Sequence, residues 1–247
     1  MRLAAPRPFD VTLAPSGVTV VSHWAVPDPA RQGEVADTVF AAWEAGPLPD
    51  GLLSADTFVS TTEKPQGEEK LSTEDSAVVV VSQWRAAEDY ERFAAAAPEP
   101  PDIADVPRPE PVVHRLYRGT FRRDLPTSVP TQEPAGGADA EPGCIFIAEF
   151  EMADTESAQL WSDAVYDAME EAVVRKGALP GWISSHHFLS LEGRRVFQYA
   201  QWASAAAHEE FLESDLRQDV LRRAGGLSKV KSALGQRYVH HAGLRRG

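Results

Sequence analysis

Alternating apolar and polar positions predict a strand late in the chain, from Arg195 to Trp202. Its β-branched and aromatic residues, with no glycine or proline, are typical of a β-strand. Alternation divides its side chains between two faces: Val196, Gln198, Ala200 and Trp202 on one, Phe197, Tyr199 and Gln201 on the other. The first face therefore carries an amide and an indole four residues apart, an unusual pair of polar groups for a half-buried strand.

The same pattern occurs earlier in the chain, from Ala77 to Trp84. Both strands end in the dipeptide Gln-Trp, and both are followed by an alanine- and glutamate-rich helical segment. Each segment has a phenylalanine nine residues after the tryptophan, at Phe93 and Phe211. A longer pattern that recurs in this way indicates an internal repeat.

The remaining periodicity completes each copy of the repeat. In the first half it predicts strands at 18–26, 52–62, 77–84 and 112–122 and helices at 29–44 and 86–97. In the second half it predicts strands at 144–152, 181–191, 196–202 and 236–244 and a helix at 154–176. A further helix starts after Ser204, breaks near Ser214 and restarts toward Arg223.

Each half thus has the order β-α-β-β-α-β, which is the ferredoxin-like pattern of an α+β protein. Two tandem ferredoxin-like repeats can cover each other's open sheet faces and form an intramolecular dimeric α+β barrel. The predicted boundaries are an N-terminal arm at 1–17, a first domain at 18–123, a Pro- and Gly-rich linker at 124–143 and a second domain at 144–247. Residues 63–75, which are polar and include Pro65 and Gly67, are predicted to form a long hairpin loop. The pseudo-dimer could pair further into a homodimer.

Composition limits the partners and the location. The formal net charge of −13 over 247 residues argues against nucleic acid or an anionic membrane as a partner. Cys144 has no second cysteine to pair with, which fits a reducing cytoplasm. We find neither an apolar run long enough to span a bilayer nor the apolar region of a secretory signal.

Two segments of the second half carry a family pattern. Segment 179–193 includes Leu-Pro-Gly-Trp and a Gly turn, and segment 196–202 ends in Tyr-Ala-Gln-Trp. Together they resemble the antibiotic biosynthesis monooxygenase family. In particular, they resemble its small quinone-forming, anthrone-oxidising members from aromatic polyketide pathways. The resemblance covers about residues 144–244, and 18–122 through the repeat. It implies the dimeric α+β barrel and oxidation of a polycyclic phenol by O2 without flavin, haem or metal.

The resemblance also implies roles for four residues of the second half. Trp202 matches the family's indole, and Gln198 stands where the family has asparagine. These two would position a carbonyl and stabilise the anion. His208 stands where the family has tyrosine and would be the proton acceptor, while Arg222 matches an arginine late in the helix and would assist or hold the fold.

Six further residues are predicted to bind substrate: Trp182, His186, Phe188, Tyr199, Trp84 and Tyr90. The family's histidine on the second strand falls at Phe188, beside His186 and His187. In the first half Val80 occupies the amide position, so that half is interpreted as a structural partner rather than a second site.

Simpler interpretations stay open for each of these residues. Both tryptophans could pack in a core, Gln198 could bond to backbone, His208 could be exposed and Arg222 could be a helix C-terminal charge. His186 and His240 could bind a metal or haem together, although no metal-ligand motif is present. Alternative functions are a polyketide cyclase or isomerase on the same barrel, or a non-catalytic ligand-binding barrel.

Overall fold

The computed structural model describes residues 9–11, 17–61, 76–96, 101–121, 141–176, 179–225 and 229–246. The predicted polar loop at 63–75 lies outside these ranges. So do most of the predicted N-terminal arm and the predicted linker up to residue 140. Within the described ranges, every strand and helix expected from the sequence is present.

The elements follow the repeat. The first copy consists of β1 (Val18–Ala25), a 3-10 turn (Pro29–Arg31), α1 (Gln32–Glu44), β2 (Leu52–Ser60), β3 (Ala77–Trp84), α2 (Ala87–Ala96) and β4 (Val112–Phe121). The second consists of β5 (Cys144–Met152), α3 (Thr155–Lys176), β6 (Trp182–Ser190), β7 (Arg195–Trp202), α4 (Ala205–Glu213), α5 (Asp215–Gly225) and β8 (Val230–Arg245).

Hydrogen bonding between neighbouring strands gives the order β1-β3-β2-β8-β5-β7-β6-β4, a closed barrel. This order confirms the predicted α+β class, with two tandem ferredoxin-like repeats in a dimeric α+β barrel. The chain divides into two compact units. The first contains β1 to β3, β4 up to Leu116 and β8 from Tyr238. The second contains β4 from Tyr117, the elements β5 to α5 and β8 up to Arg237.

Each unit has a core between its strands and its helices. In the first, apolar residues of β1, β3 and α1 form one cluster, with Trp24, Val35 and Val78 among its buried members. In the second, residues of β5, β6 and β7 pack against α3, α4 and α5, with Trp161 and Trp202 in the cluster. Burial of these apolar stripes is the main term that favours each unit's fold.

The same glycine turn opens the second strand of each copy. Gly51 has φ +86° and Gly181 has φ +73°, a conformation that side chains other than glycine rarely adopt. Each glycine carbonyl accepts the backbone N–H of the residue after the Gln-Trp dipeptide, at 2.9 Å for Arg85 and 2.7 Å for Ala203. A register shift follows in both β2 and β6. The turn therefore fixes where each helix leaves the Gln-Trp strand.

The predicted break in the last helical segment is also present. The hydroxyl of Ser204 caps α4 by accepting the backbone N–H of Ala207 at 3.1 Å. Ser214 has an extended backbone, and its hydroxyl accepts the N–H of Arg217 at 3.2 Å. One serine therefore caps each helix, and α5 starts in a new direction rather than continuing α4.

Strand β8 starts at Val230, six residues before the predicted start of the last strand. Its first three side chains are exposed, so they show no apolar alternation. Backbone pairing, which the side-chain pattern does not report, extends the strand over these residues.

Candidate functional site

The sheet of the second unit has two different faces. Val196, Ala200 and Trp202 belong to the core that β7 shares with the helices, which confirms the predicted alternation. The rings of Phe188 and Phe197 meet 5.6 Å apart on the opposite face. The predicted site residues are therefore divided between two environments, and the helix-facing one contains Trp202.

Trp202 lies at the end of β7, under α4. Its side chain is 2% exposed and packs against the rings of Phe211, at 5.1 Å, and His208, at 5.2 Å. The indole Nε1 is buried and has no hydrogen-bond acceptor in the described part of the chain. An unbonded buried donor costs folding free energy of about 1–3 kcal/mol. It is therefore a feature that a ligand could use.

His208 projects from α4 into the same region. It is 1% exposed and packs against Phe146 with ring centroids 4.7 Å apart, so the alternative that it is solvent-exposed is wrong. The Nε–H of Arg237, on β8, donates to His208 Nδ1 at 3.2 Å. Arg237 also donates from Nη1 to Glu209 at 3.0 Å and is itself 2% exposed.

These surroundings disfavour the predicted role of His208 as proton acceptor. Burial, together with the positive charges of Arg237 and Arg217, lowers the pKa of His208 to about 3. The lone pair of Nδ1 is already engaged by Arg237. At neutral pH His208 is therefore an uncharged imidazole with little tendency to take a proton.

Gln198 is half-buried near the middle of β7, on its helix-facing side. In the strand register it lies between Ala148 and His187. It lies four positions before Trp202 along the strand, a span of about 13 Å. Trp182 is buried in the same core and pairs in register with Trp202. Gln198 and Trp182 thus share a face with Trp202.

His187 is a buried polar residue to which the sequence patterns give no role. It has no exposed surface, stacks on Trp161 at 5.0 Å and 9°, and meets the edge of Tyr166 at 4.8 Å. Neither ring nitrogen has a hydrogen-bond partner in the described ranges. Burial, with His186 and Arg118 nearby, lowers its pKa to about 3. Adjacency to His186 indicated that one of the pair faces the helices, but not which one.

Arg222 is not part of this cluster. Its side chain on α5 is 72% exposed and forms an ion pair with Asp219. A buried arginine does reach His208, but it is Arg237 from β8. Sequence reasoning missed Arg237, because the pattern at 236–244 indicates only a strand. The helix C-terminal interpretation fits Arg222 better than a place in the site.

His186, Phe188 and Tyr199 are not brought to the Trp202 cluster either. His186 lies 4.9 Å from the ring of Phe121 and fills the space beside Gly119. The hydroxyl of Tyr199 accepts the amide N–H of Gln201 at 3.2 Å. If these residues bind substrate, they do so from the other face of the sheet, and their predicted role stays a prediction.

Trp84 is the tryptophan of the first unit that corresponds to Trp202, and its indole N–H has a hydrogen-bond acceptor. The Nε1–H of Trp84 donates to the hydroxyl of Ser82 at 3.0 Å, and Trp84 packs against Phe93 at 5.1 Å and Tyr90 at 5.6 Å. The repeat places Ala200 where the first copy has Ser82. Among the described residues, the indole donor thus has an acceptor in the first unit and none in the second.

The glutamine of each Gln-Trp pair has a structural partner. Gln83 accepts a hydrogen bond from Ser54 at 2.7 Å, and Gln201 accepts one from Ser184 at 3.0 Å. Each bond links the third strand of a copy to its second strand. The glutamine therefore links the two strands in both units. The units differ instead in whether the indole N–H of the tryptophan has an acceptor among the described residues.

The described residues contain neither a cluster suited to a metal ion nor a helix suited to a membrane. Over these ranges, no group of three or more His, Cys, Asp or Glu side chains is placed to hold a metal ion. His240 Nε2 lies 3.0 Å from Asp56 in the first unit. None of the helices that the described ranges contain is both long and apolar enough to cross a bilayer.

Comparison with known proteins supports the fold. No family model matches the sequence, and no curated protein matches it. An anthrone oxidase-like protein of known structure is 16% identical, with TM-score 0.65, and the match covers 93% of each chain. A candidate monooxygenase from Lactobacillus acidophilus NCFM is 11% identical, with TM-score 0.52, covering 94% of this chain and 98% of that one. A mutant chlorite dismutase from Candidatus Nitrospira defluvii is 10% identical, with TM-score 0.51, covering 90% and 91%. At these identities the likeness shows a shared fold.

Proposed function

We propose that the chain is a cofactor-independent monooxygenase. Its substrate would be a polycyclic phenol of the anthrone type, an aromatic polyketide intermediate, and its product a quinone or hydroxylated derivative. The fold is shared with an anthrone oxidase-like protein, which supports this class of reaction. The observation that carries the proposal is the buried indole N–H of Trp202, which has no acceptor within the described ranges and lies in an aromatic, apolar environment.

The chemistry requires little of the protein beyond binding and anion stabilisation. A deprotonated anthrone is electron-rich and reduces O2 itself. At the reacting methylene two C–H bonds are broken and a C=O bond is formed, so CH2 + O2 gives C=O + H2O. One oxygen atom enters the product and the other leaves as water, and the substrate supplies all the electrons.

The side chains around Trp202 on the helix-facing side of the sheet supply suitable groups for this task. The Nε1–H of Trp202 would donate to the developing oxyanion, where a donor in a low-dielectric site is most effective. Phe146 and Phe211 would pack against the substrate rings. The amide of Gln198 would contact a second oxygen of the substrate farther along the strand. Because the indole nitrogen is buried, the side chains that pack on Trp202 would have to shift to admit the substrate.

The first unit would serve as a structural partner in this proposal. Ser82 already accepts the Trp84 N–H, and Val80 offers no amide where the second copy has Gln198. Substrate would therefore gain no unsatisfied donor at Trp84. Trp84 and Tyr90, both predicted to bind substrate, would instead pack the core of their own unit.

Oxygen uptake by metal-free protein tests the proposal, with dithranol as the anthrone and a protein-free control for autoxidation. We expect uptake above the control, one O2 consumed per quinone formed and no release of hydrogen peroxide. Binding of dithranol with no uptake would contradict the proposal and favour a ligand-binding barrel. Ring closure or isomerisation of a polyketide without O2 would favour the cyclase.

A further inference from the structure

We infer that Arg237 is a positioning residue, which fixes His208 as a hydrogen-bond donor beside Trp202. The inference concerns the same site as the proposed function and rests on it for the ligand. The arrangement of Arg237 and His208 stands by itself and can be tested without any substrate.

The hydrogen bond between these residues has only one possible direction. A guanidinium group has N–H donors and no acceptor, so His208 Nδ1 must present its lone pair to Arg237 Nε. A neutral imidazole whose Nδ1 accepts carries its proton on Nε2. The contact therefore selects one of the two neutral tautomers and excludes the doubly protonated ring.

Arg237 is itself held in place from the helix that carries His208. Its Nη1 donates to the carboxylate of Glu209 at 3.0 Å, one residue after His208. The side chain is almost completely buried, so its geometry is restrained by packing as well. A single arginine on β8 thus contacts two consecutive side chains of α4 and restrains how the imidazole is turned.

The positive charges around His208 favour the neutral ring. Arg237 faces it from β8 and Arg217 acts on it from α5, and both positive charges oppose protonation. Glu209, on the same helix, is engaged with Arg237. The elements β5 and β7 present the aromatic rings of Phe146 and Trp202 to the imidazole.

The consequence is a site with two donors. The centroids of the Trp202 and His208 rings lie 5.2 Å apart with planes at 46°, and in the proposed complex one ligand oxygen would accept from both N–H groups. The buried positive charge of Arg237 lies behind the imidazole and strengthens its Nε2–H as a donor. Such a site takes its ligand as the anion, an ionised phenol or enol, rather than as the neutral molecule.

Nitrogen-15 NMR of histidine-labelled protein tests the positioning. The chain has seven histidines, so the His208→Gln variant assigns the signal. We expect wild-type His208 to show the neutral Nε2–H tautomer throughout about pH 5–8. Arg237→Lys keeps a donor and a charge and should retain that tautomer. Arg237→Met should give a mixture of tautomers and a proton uptake nearer to neutral pH.

Two NMR results would overturn the inference. One is an Nδ1-protonated or charged His208 in the wild type near pH 7. This result is obtained on the wild type alone, so it does not depend on whether a variant folds. The other is an Arg237→Met variant that folds, as judged by circular dichroism, and keeps the wild-type tautomer and titration. Loss of the tautomer in Arg237→Met and its retention in Arg237→Lys would support the inference.

A binding measurement then connects the positioning to the ligand. The probe is 2-hydroxy-1,4-naphthoquinone, an anion at neutral pH, with its 2-methoxy ether as the uncharged control, followed by tryptophan fluorescence. We expect the anion to bind more tightly than the ether. Arg237→Met should reduce that preference about tenfold, because the anion then loses its charge-assisted hydrogen bond from His208 Nε2–H. An unchanged preference in that variant would overturn the link. If the wild type binds neither probe but shows the expected tautomer, the link to an anionic ligand fails and the positioning stands, while oxygen uptake with dithranol tests the proposed function separately.

Discussion

Ser82 accepts the indole hydrogen of Trp84 at 3.0 Å, whereas the indole nitrogen of Trp202 is buried without a hydrogen-bond partner in the described ranges. The two tryptophans end equivalent strands, and each packs on a phenylalanine at 5.1 Å. The difference comes from one position of the repeat, which is serine in the first copy and Ala200 in the second. One missing hydroxyl thus turns a satisfied core residue into an available donor.

Restoring the hydroxyl in the second copy should silence that donor. In Ala200→Ser the new hydroxyl would accept the Trp202 N–H, as Ser82 does for Trp84. We expect kcat/KM for dithranol oxidation to fall about tenfold, the loss of one hydrogen bond to the transition state. The exposed Ala206→Ser on α4 is the matched control. Equal rates for both variants would show that the indole donor is not used.

Removing the hydroxyl in the first copy should affect stability and not turnover. Ser82→Ala leaves the buried Trp84 N–H without its acceptor, which costs about 1–3 kcal/mol of unfolding free energy. Urea denaturation measures the loss, and oxygen uptake measures activity in the folded protein. A large loss of specific activity with normal stability would assign a catalytic role to the first unit.

Replacing the buried His187 should raise the stability of the protein, whereas Ser82→Ala lowers it. His187→Leu removes two buried ring nitrogens that have no partner in the described ranges. We expect the variant to be about 1 kcal/mol more stable, because an unsatisfied buried polar group costs more than the stacking on Trp161 contributes. Thermal unfolding of the two proteins checks this. A lower melting temperature would mean that the ring's contacts with Trp161 and Tyr166 dominate.

The two buried histidines on the helix side also predict a dependence of stability on pH. In the unfolded chain a histidine takes up a proton near pH 6.5, but His187 and His208 have pKa values of about 3 in the folded protein. Between these values the unfolded state binds more protons, so acid favours unfolding. Each histidine should lower the unfolding free energy by about 1.4 kcal/mol per pH unit below 6.5.

Denaturant titrations at several pH values between about 7 and 5 would measure that slope. His208→Gln should remove one histidine's share of it, and His187→Leu the other's. A slope that is the same in the wild type and in both variants would show that neither histidine titrates as its burial indicates.

Much of the fold could be predicted because it depends on local patterns. The strand Ala77–Trp84 and its copy in the second half have alternating or continuously apolar sequences, and Ser204 and Ser214 are recognisable helix caps. The start of β8 could not be predicted, because its exposed first residues contribute backbone pairing only.

The site was less predictable because it depends on contacts between distant elements. Arg237 meets His208 across 29 positions of sequence, and nothing in the pattern of β8 indicates that contact. The resemblance matches Arg222 to an arginine late in the last helical segment, but Arg222 lies on α5, beyond the extended backbone at Ser214, and its side chain is exposed. Alternation separates His186 from His187, yet only the packing of α3 shows that His187 faces the helices.

Oxygen uptake with dithranol, comparing Trp202→Phe with Trp84→Phe, tests most directly whether the second unit carries the activity. Both variants keep an aromatic ring and lose the indole N–H, so they are matched, and thermal unfolding confirms that each is folded. We expect Trp202→Phe to lose at least about tenfold in kcat/KM, and Trp84→Phe to keep the wild-type rate. Wild-type activity in Trp202→Phe, or an equal loss in both variants, would contradict a site built on the unsatisfied indole of Trp202.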